Sequence, residues 1–202
     1  MKYVLATQNP KKREEMQAIL SDLGIEVVTE ESLGVRVKVE ETGKTFAENA
    51  ALKAKAVMEA TGLPAIGDDS GLCVKALNGA PGIYSARYGG EDLNDAGRCA
   101  LLLEMMRGQT DRSAHFETVI VCAFPNGEWI ASKGECHGAI AFAPMGQNGF
   151  GYDPVFFVTD KQKTFAQLTA EEKAAISHRG NALRSFRKKL MNYLEEHNGA
   201  DQ

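Results

Sequence analysis

Apolar positions along the chain fall into short unbroken blocks and stripes of helical spacing, and the two patterns predict different elements. Lys2 to Ala6 is a short apolar block and reads as a buried strand. Asn9-Pro10 then opens a helix, since Asn suits the cap and Pro the first helical position. Met16, Ile19, Leu20 and Leu23 lie at i, i+3, i+4 and i+7, so they share one face, and Gly24 ends the helix. Ile25 to Val28 is a second strand. Thr45-Phe46-Ala47-Glu48 has the spacing of a capping box and starts a helix to about Ala60, stopped by Thr61-Gly62-Leu63-Pro64. Ala65-Ile66-Gly67 reads as a short strand leading into an acidic turn, Asp68-Asp69-Ser70-Gly71.

Further on, Asn78 to Gly82 is a turn-rich loop and Asp92 to Met106 a helix. Ala114 to Phe124 and Glu128 to Phe142 form two long strands around Asn126-Gly127, a strong hairpin signal. Gly146 to Asp153 is a glycine-rich loop. Thr169-Ala170-Glu171-Glu172 is a second capping box that opens a short helix to Ser177. A last helix covers Gly180 to about Glu196, with a frayed tail after His197. Strands followed by helices, then a hairpin, then helices predict a mixed α/β fold. No repeat, linker or low-complexity tract divides residues 1–202, so a single domain is expected.

Composition narrows the function classes. The chain has 202 residues, 44% of them hydrophobic, enough for a well-packed core. A formal net charge of −4 argues against coating nucleic acid, which takes a surplus of Lys and Arg. No apolar run approaches the roughly 20 residues that span a bilayer, and the start is too short for a signal peptide, so no membrane is expected and the cytoplasm is the default. Cys73, Cys99, Cys122 and Cys136 form no CxxC pair. They read as small hydrophobes, and no zinc site is expected.

Five constellations carry candidate chemistry. Thr7-Gln8-Asn9-Pro10-Lys11-Lys12, with Arg13, places cations at a helix start, against the macrodipole. An arriving phosphate resolves that conflict; a solvated basic patch is the plainer alternative. Glu40-Glu41 and Asp68-Asp69 offer hard oxygen donors suited to Mg²⁺, the second pair at a strand's carboxyl end. Lys53 lies on the apolar stripe of its helix with Phe46, Ala50 and Val57, and either snorkels to water or points into an anionic pocket. Gly149-Phe150-Gly151-Tyr152-Asp153-Pro154 suits a stacked base. Lys173 and Ser177-His178-Arg179 offer donors at a break between two helices. His115 and His137 lie on predicted strands and His197 near the tail, and these read as structural or solvated. Arg87, in a rigid loop, serves either substrate contact or packing.

In order along the chain, Ala6-Thr7-Gln8-Asn9 with Lys12, Glu40-Glu41-Thr42-Gly43 with Thr45-Phe46 and Glu48-Asn49-Ala50, and Leu63-Pro64-Ala65 come first. Asp68-Asp69-Ser70-Gly71-Leu72, Gly79 to Tyr88, Gly149 to Pro154, and Glu172-Lys173 with Ser177 to Gly180 follow. Together these segments resemble the inosine triphosphate pyrophosphatases, which act on noncanonical purine nucleoside triphosphates. The resemblance runs from Tyr3 to about Leu190. It implies an elongated mixed β-sheet flanked by helices, with two lobes and the active site in the cleft between them. It also implies a homodimer, a Mg²⁺ requirement, and cleavage of dITP, ITP, XTP or dXTP to the monophosphate and pyrophosphate.

Carried over by residue, the resemblance assigns Thr7, Gln8, Asn9, Pro10, Lys11 and Lys12 to the triphosphate. Lys53 joins the substrate-binding set on its stripe position. Glu40 and Asp69 hold the metal, Asp69 accepts the proton of the attacking water, and Ser70 contacts substrate. Phe150, Gly151, Tyr152, Asp153, Lys173, His178 and Arg179 enclose base and sugar. The chain departs from the family where Gln8 stands in place of the frequent Gly. Two other functions compete: a pyrophosphatase for modified pyrimidines, and a non-catalytic nucleotide-binding protein. A phosphatase of the aspartyl-phosphate type is disfavoured, since DxDx[TV] spacing is absent.

Overall fold

The computed structural model describes residues 1–7 and 9–198, with Lys11 and Asn198 described by their backbones alone. The expectations for Gln8, for the Lys11 side chain and for the tail beyond residue 198 therefore lie outside the described residues. The chain forms a mixed α/β fold on one seven-stranded sheet. The strands are β1 (Lys2–Leu5), β2 (Glu26–Thr29), β3 (Ala65–Val74), β4 (Ser113–Ala123), β5 (Trp129–Ile140), β6 (Phe156–Val158) and β7 (Lys163–Thr164). The helices are α1 (Pro10–Leu20), α2 (Phe46–Thr61), α3 (Asp95–Met105), α4 (Ala170–Ile176) and α5 (His178–Asn198).

Sheet order is β2-β1-β3-β4-β5-β6-β7. β1 pairs in parallel with β2 (Tyr3 opposite Val27) and with β3 (Leu5 opposite Ile66), while β5, β6 and β7 run antiparallel. The parallel strands β1 and β2 are short, four residues each, and mostly buried apolar side chains line them.

The chain forms two compact units, and each has its own core. The first comprises residues 1–69, 118–134 and 181–202. Its core gathers Tyr3, Leu5 and Ile66 from the strands with Met16 and Leu20 of α1 and Leu183, Phe186 and Leu190 of α5. Met16 and Leu20 are fully buried, while Ile19 and Leu23 pack at the margin, as their helical spacing predicts. The second unit comprises residues 70–117 and 135–180. Here Leu72 and Val74 of β3, Leu102 of α3, and Phe116, Phe156 and Phe165 are buried together. The Phe116 and Phe156 rings meet edge to face at 4.7 Å, a geometry worth about 1 kcal/mol beyond the area removed from water.

Helix ends follow local chemistry. The Thr169 box closes in both directions, with the Glu172 carboxylate accepting from the Thr169 amide. At α2 the Thr45 side chain accepts from the Glu48 amide, but the Glu48 carboxylate reaches back to the Lys44 amide at 2.5 Å, one residue earlier than a capping box requires.

Four expectations need correction. Asp68-Asp69-Ser70-Gly71 is not a turn: it lies inside β3, which continues through buried Leu72 and Val74. The acids read as a terminus, yet apolar residues resume beyond them and the ladder carries on. Second, α5 begins at His178, so His178-Arg179 forms its first turn instead of an open break. Third, α3 starts at Asp95, capped by Asn94, whose side chain accepts from the Gly97 amide. Fourth, β6 and β7 were not anticipated, because they are too short to show alternation.

Candidate active site

The acidic pair is built by a close approach of helix to strand in the first unit. Gly67 of β3 lies against the backbone of α2, where an added Cβ would stand 2.3 Å from the Ala50 carbonyl oxygen. Only glycine allows this spacing without displacing one element. It brings one face of α2 onto the strand: Phe46, Ala50, Ala54 and Val57 are buried there, and Asn49 and Lys53 share that face.

Two polar side chains on an apolar stripe need partners, and both find the acids. The Lys53 ammonium lies 3.0 Å from Glu41 and 3.3 Å from Asp69. Asn49, fully buried, donates to the other Asp69 oxygen at 3.2 Å and accepts from the Gly43 amide at 2.9 Å. Lys53 therefore points into an anionic pocket and does not snorkel. Next to it Asp68, 1% exposed, pairs with Lys12 of α1 at 2.7 Å.

The electrostatics follow from this geometry. Burial pushes the Asp69 carboxyl up, and Lys53 and Asn49 only partly offset it. Burial alone would lower the Lys53 ammonium, but Asp69, Glu41 and Asp68 together outweigh it and hold Lys53 above its ordinary value. The set is thus two carboxylates around one retained cation, with a second cation held by the neighbouring acid.

The remaining residues of this constellation are more open. The Thr7 hydroxyl accepts from the Asn9 amide at 3.3 Å at the entrance of α1. Asn9, Pro10 and Glu40 are exposed, and Ser70 is half-buried in β3. The oxygens of Glu40, Glu41 and Asp69 are hard donors, and Mg²⁺ asks for one or two protein carboxylates beside water and phosphate. The donor set fits that ion. Asn49 was missed as a site residue; its signal is an amide on the apolar face of α2, four residues before Lys53.

The second unit holds the aromatic constellation. Gly149 is left-handed (φ +80°), and a Cβ there would stand 1.9 Å from an Asp153 carboxylate oxygen. The bare backbone lets Asp153 fold under its own loop and accept from the Phe150 amide at 2.9 Å. Asp153 also forms an ion pair with Lys173, and both are shielded from water, Asp153 nearly completely. Burial pushes its carboxyl up, and Lys173 acts in the opposite direction. The Lys173 ammonium lies 4.9 Å from the Phe150 ring centre and 5.3 Å from that of Phe165, so it is flanked by aromatic faces.

His178 stacks on Phe116 with ring centres 4.6 Å apart and planes 12° from parallel. Arg179 is half-buried beside it on α5. Phe150 is 59% exposed and presents an open aromatic face, while the buried Tyr152 hydroxyl donates to the Ser85 carbonyl at 2.9 Å. Tyr152 is therefore committed to the distant Gly82–Arg87 segment. Two residues were missed here: Asp95 accepts from the Gly151 amide at 2.7 Å and the Cys99 thiol donates to the Gly151 carbonyl at 3.3 Å, so α3 holds both backbone polar groups of that residue. Arg87 lies 5.1 Å from the Tyr84 ring centre.

None of the four cysteines forms a disulfide; Cys99, Cys122 and Cys136 are buried, while Cys73 is half-buried. Among the described residues no helix is long and apolar enough to cross a membrane.

Residues 3–189 match the model of the Ham1 family. The chain belongs to the Ham1 family. A relative named dITP/XTP pyrophosphatase, from Exiguobacterium sp., is 44% identical over 195 residues, covering 96% of this chain and all of its own length. Another of that name, from a strain of Thermus thermophilus, is 52% identical, covering 92% of this chain and 90% of its own. The solved Ham1 protein of Staphylococcus aureus superposes with a TM-score of 0.91 at 44% identity, covering 96% of this chain and all of that one. Family membership at this depth agrees with the resemblance drawn from the motifs and with the mixed α/β sheet.

Proposed function

We propose that this chain hydrolyses dITP, XTP and their ribose or deoxyribose counterparts to the nucleoside monophosphate and pyrophosphate, cleansing the nucleotide pool. The carrying observation is the Lys53–Asp69 contact, a shielded carboxylate kept beside a cation, with Lys12 paired to the adjoining Asp68. The names of its relatives support the same chemistry.

A nucleoside triphosphate carries about four negative charges near neutral pH, so charge neutralisation precedes attack. Lys12, aimed by Asp68, and Lys53 supply part of it, and Thr7, Gln8, Asn9, Pro10 and Lys11 complete the phosphate-binding start of α1. Glu40 and Asp69 would hold Mg²⁺, which supplies further neutralisation of the phosphate oxygens when bound. Asp69, oriented by Asn49, accepts the proton of the attacking water. Ser70 contacts the substrate. On the base side Phe150 offers the stacking face, and Gly151, Tyr152 and Asp153 shape the loop. Lys173, His178 and Arg179 present donors that favour a 6-oxo purine over adenine's amino group. The working state is a cytoplasmic homodimer acting as one pyrophosphatase domain.

The test is a panel of purine and pyrimidine triphosphates with Mg²⁺, identifying both products. Pyrophosphate release fastest from dITP, ITP and XTP is expected. Equal rates with ATP and GTP would sink the assignment, preference for pyrimidines would move it to the rival substrate class, and no turnover at all would leave a binding protein.

A further inference from the structure

Outside both constellations, four side chains converge on the face of the sheet opposite the second unit's core. Along β4, Ala114 and Phe116 are buried while His115 and Glu117 point the other way; along β5, Gly134 and Cys136 are buried while Lys133, Glu135 and His137 alternate with them. The two strands are sheet neighbours, so the outward residues form one patch. His115 Nε2 lies 3.8 Å from Glu117, and His137 Nε2 lies 3.0 Å from Glu135. The two imidazoles are themselves in contact, with ring centres 5.4 Å apart. One donor atom from each of His115, Glu117 and Glu135 falls within 4.8 Å of the others.

We propose that His115, Glu117, Glu135 and His137 form a Zn²⁺ site that ties β4 to β5. Imidazole nitrogen with carboxylate oxygen is a donor set for zinc, and three protein ligands plus a fourth imidazole or water complete a tetrahedron. Ligand atoms around tetrahedral zinc stand roughly 3.4 Å apart, from bond lengths of about 2.1 Å. The His115, Glu117 and Glu135 donor atoms, all within 4.8 Å of one another, need to draw in by no more than about 1.4 Å to reach that spacing. The expectation that excluded zinc considered cysteine pairs, and these donors are of another kind. A cross-strand set of surface ion pairs is the competing account, and it binds no metal.

The site is independent of the pyrophosphatase assignment. Metal-stripped full-length protein, held in saturating Mg²⁺, is titrated with Zn²⁺ by calorimetry, and Co²⁺ is followed by its visible absorption bands. One Zn²⁺ per chain is expected. Its affinity should fall at least tenfold in both His115→Ala and Glu135→Gln while remaining unchanged in Asp69→Asn. At zinc about 100-fold above Kd, Tm should rise by roughly 5–10 °C in the parent and not in the two patch variants. Circular dichroism checks that the variants fold, and the more conservative Glu135→Gln carries the test if His115→Ala does not. No Zn²⁺ uptake, uptake abolished by Asp69→Asn instead, or equal binding in the patch variants would each overturn the site.

Discussion

The two constellations solve opposite problems with similar residues. In the first unit, Lys53 stands between two carboxylates and Lys12 is held by a buried one, so the cations are gripped by acids from neighbouring elements. In the second, Lys173 meets one carboxylate and is otherwise flanked by the rings of Phe150 and Phe165. The first arrangement keeps several charges close in a half-buried space, which costs desolvation unless a polyanion and a metal complete it. The second places its cation between aromatic faces, surroundings suited to a flat, weakly charged ring. On the proposed reading, charge density separates a place for phosphates from a place for a base.

The largest effect expected of a single change is at the first constellation. Asp69→Asn keeps the shape and the Asn49 neighbour but removes the proposed proton acceptor, and pyrophosphate release should fall about 10²–10⁴-fold while circular dichroism is unaltered. Activity near the parent value would remove Asp69 from the chemistry.

Gly67→Ala attacks the approach of α2 to β3 that places Lys53 and Asn49 on Asp69. Backbone cannot yield as a side-chain tip can, so a loss of about 2–3 kcal/mol is expected in chemical denaturation, with the midpoint lowered. An unchanged midpoint would mean that the close packing is not what holds this constellation.

Lys173→Met should mark the contrast from the other side. Methionine keeps the apolar stem between the rings and loses the donor, so KM for dITP is expected to rise about tenfold with kcat changed much less. A kcat loss as deep as that of Asp69→Asn would erase the division of labour.

The smallest effect lies away from both. The His197 imidazole is held above its ordinary value by its hydrogen bond to the Tyr193 carbonyl and by the Glu128 carboxylate 2.9 Å away. A raised imidazole stabilises fully below its unfolded pKa and loses that contribution as pH rises through the folded one. The Tm gap between parent and His197→Ala should therefore shrink as pH rises above the ordinary imidazole value of about 6.5. A gap independent of pH would show the contact to be packing alone.

Much of this was legible before any coordinates. Helical stripes located α1, α2 and α5 to within a few residues, and Asn126-Gly127 located the β4–β5 hairpin. The acidic pair, the basic helix start and the Gly149–Pro154 loop stood out as chemistry, and their company identified the family. The element bearing the acids was misread, because period-2 alternation breaks at five polar or small residues in a row, Gly67 to Gly71. Asn49, Asp95 and Cys99 escaped notice since each acts through a partner distant in sequence. The four-residue patch of His115, Glu117, Glu135 and His137 escaped for the same reason.

Local patterning by itself determined the helices, the hairpin, the α/β class and the list of chemically able residues, because periodicity and capping depend on neighbours within a few positions. Only the tertiary structure decided that Lys53 faces Glu41 and Asp69, that Asp68 holds Lys12, and that α3 grips Gly151. Those contacts are set by which backbones can approach closely. Here the absent side chain of Gly67 lets a strand and a helix come near enough for charges far apart in sequence to meet.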